Sequence, residues 1–319
     1  MKPAGNIYQS LIVVAMIAFI TIIAACSGAN SGVEFLSIGT GGTGGIYYPL
    51  GGAIAAILSA GDAGRQYTAE VTGGSVENIA RIGQGQIDLG FAISTSARAA
   101  YEGSDDRAPI ADLRIVAPLY PNVAHVLVRD SAGVASLGDL AGKSVSVGSA
   151  GSGTEQFARH LLGAYGLDYE SIDERFLSFS ESSSALRDGA IDAAIFSVGY
   201  PAAAVLEATT NAAVHLLPLE REDVERLRAS FSFYRVATIP AGAYNGLESD
   251  LPTVAVMNWM VGLEGLDDGS VTSLLDLLRD DHEALVRVNQ IARQIDLTAL
   301  ADAPIPLHPA AQRWLEANR

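Results

Sequence analysis

Two glycine-rich stretches decide the fold: IGTGGTGGIYY at residues 38–48 and VGSAGSGTEQF at residues 147–157. Each comes directly after a short run of strand-forming residues and directly before a helical pattern. Around them the chain repeats one series of elements, which ends both times in Gly-x-Ile-Asp, at residues 85–88 and 189–192. A strand, a glycine turn and a helix, found twice in the same order, predict two similar α/β lobes.

The two series predict their strands and helices in the same order. Gly-x-Ile-Asp alone is typical of a helix stop followed by a turn, so the matching glycine turns carry the argument. The first series predicts strands at 34–39, 66–72 and 88–94 and helices at 47–59 and 76–84; the second predicts strands at 143–148, 174–179 and 191–197 and helices at 154–165 and 182–187.

Length and composition agree with two lobes. The chain has 319 residues, of which 49% are hydrophobic and 18% are charged, so it can bury a large core and is globular. A formal net charge of −16 repels a phosphate backbone, which makes nucleic acid an unexpected partner. The charge by itself identifies no small ligand.

The N-terminal segment predicts export and a lipid anchor. Residues 11–25, LIVVAMIAFITIIAA, are apolar throughout, and this run is shorter than the ~20 residues that span a bilayer, so residues 1–25 are interpreted as a signal peptide. Cys26, the only cysteine, follows IAA, and the four residues resemble the lipobox of bacterial lipoproteins. We expect cleavage before Cys26 and its acylation; a free or buried thiol is the alternative. Residues 26–32 form the predicted tether.

The two glycine turns predict an anion site. Between a strand end and a helix start, unpaired backbone N–H groups point outward, and the helix dipole adds about half a positive charge there. An anion can therefore be held without a basic side chain, and a carboxylate is the natural ligand. The turns also contain hydroxyl donors: Thr40, Thr43, Ser149, Ser152 and Thr154.

Other functional classes find less support. Residues 39–44 match the dinucleotide pattern G-x-G-x-x-G, but an exported chain meets few dinucleotide cofactors. The second turn lacks the G-K-[ST] ending of a P-loop. The histidines show no metal-ligand spacing, no G-x-S-x-G occurs, and His125 lies in an apolar run typical of a structural histidine. We therefore expect neither an enzyme nor a bound cofactor or metal.

Seven stretches, in order, resemble the TAXI class of TRAP-transporter solute receptors (TRAP-associated extracytoplasmic immunogenic proteins). They are GTGGTGGIYYPLGGAIA, TGGSVENIARIGQGQIDLGFA, LYPNVAHVLVR, LAGKSVSVGSAGSGTE, LRDGAIDAAIF, IPAGAYNG and PLHPAAQRWLE. No single stretch is diagnostic, but together they cover nearly the whole chain after Val33.

The resemblance implies an α/β periplasmic-binding-protein fold of type II, in which two lobes enclose a ligand cleft and two hinge strands cross between them. Residues 33–125 and 240–319 would form the first lobe, and residues 126–239 the second. The implied function is capture of a small organic acid, such as a dicarboxylate or a glutamate-like amino acid, for uptake by an ion-coupled TRAP permease. The protein would work outside the cytoplasm and touch the membrane only through its lipid. The alternative is a lipoprotein that presents the same solute to a signalling receptor.

The resemblance also implies a set of ligand-binding residues, all of them neutral. They are Thr40, Gly41, Gly42, Thr43, Tyr47, Tyr48, Ser75, Asn78 and Ser94 in the first lobe, and Ser149, Gly151, Ser152, Gly153, Thr154, Gly199 and Tyr200 in the second. Structural roles stay open, because Tyr47 or Tyr48 could pack under the helix and Asn78 could cap a turn. Residues 93–95 read Ile-Ser-Thr where many members have Gln-Ser-Asp. The lost acid favours a dicarboxylate over an amino acid, unless it served only as a helix cap.

Overall fold

The first glycine-rich stretch joins strand β1 (Glu34–Gly39) to helix α1 (Tyr47–Gly61), as predicted. The computed structural model describes residues 32–103 and 107–318. The predicted signal peptide, Cys26 and residues 27–31 of the predicted tether lie outside the described residues. The first series continues with β2 (Arg65–Glu70), α2 (Ser75–Gly83), β3 (Leu89–Ile93) and α3 (Ser94–Glu102).

The second series follows a long strand, β4 (Leu113–Arg129), and two short helical turns. It consists of β5 (Ser144–Ser146), α4 (Gly153–Gly163), β6 (Asp173–Arg175), α5 (Phe179–Asp188) and β7 (Ala193–Val198). The chain then forms α6 (Ala203–Asn211), β8 (Val214–Leu217), α7 (Arg221–Ser230), β9 (Arg235–Ile239) and a second long strand, β10 (Leu251–Leu263). Helices α8 (Asp268–Asp280), α9 (His282–Val288) and α10 (Pro309–Ala317) follow.

Every element predicted in the two series is present, but the strand predicted at residues 174–179 is too long. β6 ends at Arg175, and Phe179 begins α5. The Ser178 hydroxyl accepts a hydrogen bond from the Glu181 N–H, and the Glu181 carboxylate accepts one from the Ser178 N–H at 2.8 Å. This capping box starts the helix before the strand could continue.

The strands form one mixed sheet with the order β2-β1-β3-β10-β4-β7-β5-β6, in which β8 also pairs with β4 and β9 with β10. Pairing is parallel within each series, between β1 and β3 and between β5 and β7. The long strands β4 and β10 are antiparallel to each other and to their other neighbours. The α/β class is therefore confirmed.

Strands β4 and β10 pass from one half of the sheet to the other. β10 pairs with β9 through residues 251–255 and with β3 through residues 258–262. β4 likewise passes from β10 to β7. We call residues 118–123 of β4 together with residues 255–259 of β10 the strand crossing. Their pairing shifts register between Met257 and Trp259, so the ladder is irregular at this point.

The buried apolar side chains form two clusters. One cluster of buried residues includes Phe91 and Trp259, and a second includes Val145 and Phe157. Phe35–Arg319 nevertheless forms one compact unit. Within the part of the chain that the structure describes, no helix combines the length and the apolar character needed to cross a membrane.

Candidate functional site

A small cavity lies where the two glycine-rich stretches meet. Its volume is about 60 Å³, which limits a ligand to a small molecule. None of the side chains that line it carries a charge. They come from both series and from the strand crossing: Gly41, Gly42, Gly44, Gly45, Ile46, Tyr47, Gly73, Gly74, Ser75, Ile93, Tyr120, Asn122, Ser149, Ser152, Gly153, Thr154, Ser178, Phe179, Ser197 and Val198.

Four helices begin at this cavity. They are α1, α2, α4 and α5, whose first residues all line it. At the start of α2, the N–H groups of Ser75 and Val76 have no acceptor among the described residues, and at the start of α4 the same is true of Gly153 and Thr154. Free N–H groups and converging helix dipoles favour an anion in the cavity without a basic side chain.

The starts of α2 and α4 are in direct contact. A Cβ atom on Gly153 would lie 2.7 Å from Ser75 Oγ and 2.9 Å from Ile93 Cδ1, so only glycine allows this approach. The Glu77 N–H of α2 donates to the Gly151 carbonyl of the second turn at 3.0 Å. The two series therefore meet along this side of the cavity.

Charged groups near the two turns are bound to other partners. Lys143 Nζ donates to the Ala132 carbonyl at 2.8 Å, and the Arg159 guanidinium pairs with Glu155. The Glu77 carboxylate accepts a hydrogen bond from the Gly73 N–H at 2.7 Å. The donors that the cavity itself offers are thus amides and hydroxyls.

A hydrogen-bond network joins the cavity to the strand crossing. Asn258, which is fully buried, donates to the Tyr120 carbonyl and to Asn122 Oδ1, both at 2.7 Å, and accepts from the Tyr47 hydroxyl. Asn122 Nδ2 donates to the Ser197 carbonyl at 3.0 Å. Burial raises the pKa of Tyr47 well above its usual range, although hydrogen bonds to Ser75 and Asn122 counteract part of the effect. The hydroxyl therefore stays protonated and can donate.

Tyr120 is the exception in this network. Its side chain is fully buried and lines the cavity, yet its hydroxyl has no hydrogen-bond partner among the described residues. Burial is the larger cause that raises the pKa of Tyr120 well above its usual range, and the charge of the neighbouring Tyr47 is the smaller one. This hydroxyl therefore also stays protonated.

The structure places one group of the predicted ligand-binding residues together at the cavity: Gly41, Gly42, Tyr47, Ser75, Ser149, Ser152, Gly153 and Thr154. They come from both glycine turns and from the starts of three helices. The two turns predicted to share a site thus do face the same cavity, and the role of these residues in binding stays a prediction.

The other predicted residues do not line the cavity: Thr40, Thr43, Tyr48, Asn78, Ser94, Gly151, Gly199 and Tyr200. Two of them connect strands. The Thr40 hydroxyl donates to the Glu70 carbonyl at 2.6 Å. Asn78 Nδ2 donates to the carbonyls of Thr40 at 2.7 Å and Phe91 at 2.9 Å. These two bonds tie Asn78 to the end of β1 and to β3, and its role in binding stays a prediction.

The remaining residues of that second group also have places in the fold. The Ser94 hydroxyl accepts from Trp259 Nε1 at 2.8 Å and donates to the Met257 carbonyl at 3.2 Å. Thr43 and Tyr48 are exposed, and Gly199 packs against Tyr120. Tyr200 precedes Pro201 through a cis peptide bond.

Several lining residues were not predicted, among them Tyr120, Asn122, Ser178, Phe179 and Ser197. A signal for two of them was present, because Tyr120 and Asn122 are polar residues two apart in an apolar strand and so share one face. Ser178 and Phe179 were missed because the capping box was interpreted as part of a strand. Nothing local distinguished Ser197.

No group of His, Cys, Asp or Glu within residues 32–103 and 107–318 is placed to hold a metal ion. His125 is fully buried outside the cavity lining, and its Nε2 lies 2.8 Å from the Tyr244 hydroxyl. Burial lowers the pKa of His125 to about 3, so the ring is neutral, in agreement with a structural histidine.

Comparison with known proteins gives both a family and a fold. The model of the NMT1-like family matches residues 38–317. PhnD1 from Prochlorococcus marinus (MIT 9301), solved with methylphosphonate, is 11% identical over 89% of this chain and 96% of that one, with a TM-score of 0.55. The alkanesulfonate-binding protein SsuA from Xanthomonas axonopodis pv. citri, bound to MOPS, is 16% identical over 90% of this chain and 92% of that one, with a TM-score of 0.50.

A third solved structure, described as a putative L-cystine ABC transporter from Listeria monocytogenes, is 13% identical over 82% of this chain and 96% of that one, with a TM-score of 0.50. These similarities confirm the type II periplasmic-binding-protein fold. The expectation of a TAXI-class TRAP receptor is wrong, because the matching family model is the NMT1-like one, and the third structural neighbour is described as a putative ABC transporter. The expectation of a TRAP permease as partner is therefore wrong as well.

Proposed function

Because this chain belongs to the NMT1-like family and has the fold of periplasmic binding proteins, we propose that it binds a small anionic solute outside the cytoplasm and presents it to a membrane transporter. The proposal includes no catalytic step.

The observation that carries this proposal is the convergence of four helix starts on one uncharged cavity. The free N–H groups of Ser75, Val76, Gly153 and Thr154 offer donors from two directions, and the dipoles of α2 and α4 favour negative charge between them. A neutral solute would gain less from those dipoles than an anion. A cation would be disfavoured by the same dipoles, and no lining side chain is acidic to compensate.

The solute class is an organic oxyanion, with a carboxylate, a phosphonate or a sulfonate as the anionic group. Amide and hydroxyl donors suit all three groups. The two fold neighbours support this class, since one holds methylphosphonate and the other is named for alkanesulfonates. The missing acid at residues 93–95 favours, among carboxylates, a dicarboxylate over an amino acid.

Export and anchoring complete the proposal. The apolar run at residues 11–25 and the lipobox-like sequence at residues 23–26 support cleavage and acylation at Cys26. Intact-mass measurement of the membrane-bound protein tests this. An unmodified Cys26 or a retained Met1 would contradict it.

We also propose that residues 33–125 with 240–319 and residues 126–239 act as two lobes that close on the solute. The change of strand partners along β4 and β10 supports this, and it favours a hinge at the strand crossing. A ligand held by both glycine turns would then be enclosed only when the lobes approach each other.

The test places a negative charge at the cavity without crowding it. Gly42 lines the cavity, a Cβ atom there meets nothing within 4 Å, and its φ lies outside the left-handed region. Isothermal titration calorimetry with succinate, 2-oxoglutarate, L-glutamate, methylphosphonate and methanesulfonate first identifies which solutes the wild type binds. Gly42→Asp should then weaken binding of those solutes more than tenfold, about 1.4 kcal/mol.

Two variants control this experiment. Gly42→Asn has nearly the same shape without the charge and should change affinity by only a few fold. Gly52→Asp adds the same charge on α1 outside the cavity lining, where a Cβ atom also meets nothing within 4 Å, and should leave affinity unchanged. Equal affinities of Gly42→Asp and Gly42→Asn would contradict an anion site at the two turns.

A further inference from the structure

We propose that the Tyr120 hydroxyl donates a hydrogen bond to an oxygen of the bound solute at the end of the cavity formed by the strand crossing. This inference rests on the proposed function, since it adds a ligand-binding side chain to the same site. It goes beyond the helix starts, because it assigns recognition to a side chain of β4.

The first argument is the missing partner. A tyrosine hydroxyl is a donor and an acceptor, and a buried one is nearly always hydrogen-bonded. Tyr120 is fully buried, and its hydroxyl has no partner in the described part of the chain. Of the other buried side-chain atoms that share this property, on His125, Arg129 and Ser270, none belongs to a residue that lines the cavity.

The second argument is the position of Tyr120. Residues two apart on a strand project from the same face, so Tyr120 and Asn122 point to the same side of β4, and both line the cavity. The helix starts of α2 and α4 approach the cavity from the two series. Tyr120 therefore belongs to the part of the cavity wall that the strand crossing forms.

The third argument is that the neighbouring polar side chains of the network already have partners. Asn258 binds Tyr47, Asn122 and the Tyr120 carbonyl, and Asn122 also binds the Ser197 carbonyl. The protonated Tyr120 hydroxyl is thus a buried donor without a partner at this end of the cavity. A solute oxygen is the acceptor that would satisfy it.

Tyr120→Phe removes this hydroxyl and nothing else. The solutes are succinate, 2-oxoglutarate, L-glutamate, methylphosphonate and methanesulfonate, measured by calorimetry on the wild type and the variant. For each solute that the wild type binds, the variant should bind about tenfold more weakly. Its melting temperature without solute should be equal to or higher than that of the wild type, because an unpartnered buried hydroxyl has been removed.

Tyr244→Phe is the matched control. The Tyr244 hydroxyl is also buried, but it lies 2.8 Å from His125 Nε2, accepts from the Ala202 N–H at 3.1 Å, and belongs to a residue outside the cavity lining. This variant should melt at a lower temperature and bind the same solutes with unchanged affinity. The pair thus separates a hydroxyl that serves the solute from one that serves the fold.

Each outcome decides the inference. Unchanged affinity of Tyr120→Phe, while Gly42→Asp binds weakly, would overturn the role of Tyr120 and leave the proposed function standing. A clearly lower melting temperature of Tyr120→Phe would show that the hydroxyl has a partner in the protein, which also overturns it. Failure of the wild type to bind any of the five solutes would overturn the proposed function and this inference together.

Discussion

The carboxylate of Asp192 accepts hydrogen bonds from both the backbone N–H and the hydroxyl of Ser144, at 3.0 and 2.7 Å. Asp88 binds Ser37 in the same way, at 2.7 and 3.1 Å. These two aspartates end the Gly-x-Ile-Asp motifs, and each ties the entry of the last strand of its series to the first strand. The repeat predicted from the motifs therefore has a structural counterpart in each half of the sheet.

Replacing Asp192 with alanine should lower the free energy of unfolding by about 2 kcal/mol, because two hydrogen bonds to a charged group and the ion pair with Arg129 are lost. Urea unfolding at pH 7 measures the loss. Asp302→Ala, at an exposed position, should change stability by less than about 0.5 kcal/mol.

The same aspartate predicts a pH dependence. The Ser144 N–H is the largest cause that lowers the pKa of Asp192 below its usual value of 3.8. The Asp192 carboxylate therefore contributes its full share of the folding stability above pH 3.8, and this share is lost as the pH falls below that value. Equal losses for Asp192→Ala and Asp302→Ala at pH 7 would contradict the role of the carboxylate.

Much of the fold could be predicted because its signals are local. Three signals lie within short stretches: the glycine turns, the alternation of strands and helices, and the repeated motif. The strands and helices that they predict are present in the structure. The failure at residues 174–179 was also local, since two signals competed there. The hydrophobic run favoured a strand, and the Ser178–Glu181 capping box started a helix.

The candidate site could be predicted only in part, because its parts differ in how they are encoded. A helix start after a glycine turn can be identified from the sequence, because its signal lies within a few consecutive residues. Tyr120 and Asn122 reach the cavity only because β4 crosses between the two halves, and that depends on pairing with β10, far along the chain. Asn78, which the resemblance placed at the ligand, does not line the cavity and donates to two carbonyls.

Asn258 should be essential for the stability of the strand crossing. Asn258→Leu would leave the Tyr47 hydroxyl, Asn122 Oδ1 and the Tyr120 carbonyl without their partner in a buried place. We expect a loss of about 2–4 kcal/mol in the free energy of unfolding. Asn211→Leu, on an exposed helix end, is the control and should be nearly neutral. A loss below 1 kcal/mol for Asn258→Leu would show that the network contributes little.

Two histidines, the fully buried His125 and the partly buried His160, should make the protein sensitive to mild acid. Burial lowers the pKa of His125 from 6.5 to about 3 and that of His160 from 6.5 to about 4. Below pH 6.5 these two histidines are therefore protonated in the unfolded chain but stay neutral in the folded chain. Stability should fall as the pH drops from about 6.5, and each histidine contributes up to about 1.4 kcal/mol per pH unit until its folded pKa is reached.

The measurement is chemical unfolding at a series of pH values between 4 and 7. His125→Asn should flatten the dependence of the unfolding free energy on pH by about one proton, whatever its effect on stability at pH 7. His160→Asn should have a similar but smaller effect, because its pKa is lowered less. A slope equal to that of the wild type in both variants would show that neither histidine is responsible.

Closure of the two proposed lobes should depend on the contact between Gly153 and Ser75. A Cβ atom on residue 153 would lie 2.7 Å from Ser75 Oγ, so Gly153→Ala should keep the starts of α2 and α4 apart. The Glu77–Gly151 hydrogen bond across the same side could then not form. Small-angle scattering measures the radius of gyration with and without the tightest-binding solute. The solute should reduce the radius of gyration of the wild type and leave that of Gly153→Ala nearly unchanged.

Gly163→Ala is the control, since it lies at the other end of α4 and a Cβ atom there meets nothing within 4 Å; this variant should contract like the wild type. Identical scattering of the wild type with and without solute would contradict closure itself. Full contraction of Gly153→Ala would instead show that closure does not require these two helix starts to touch.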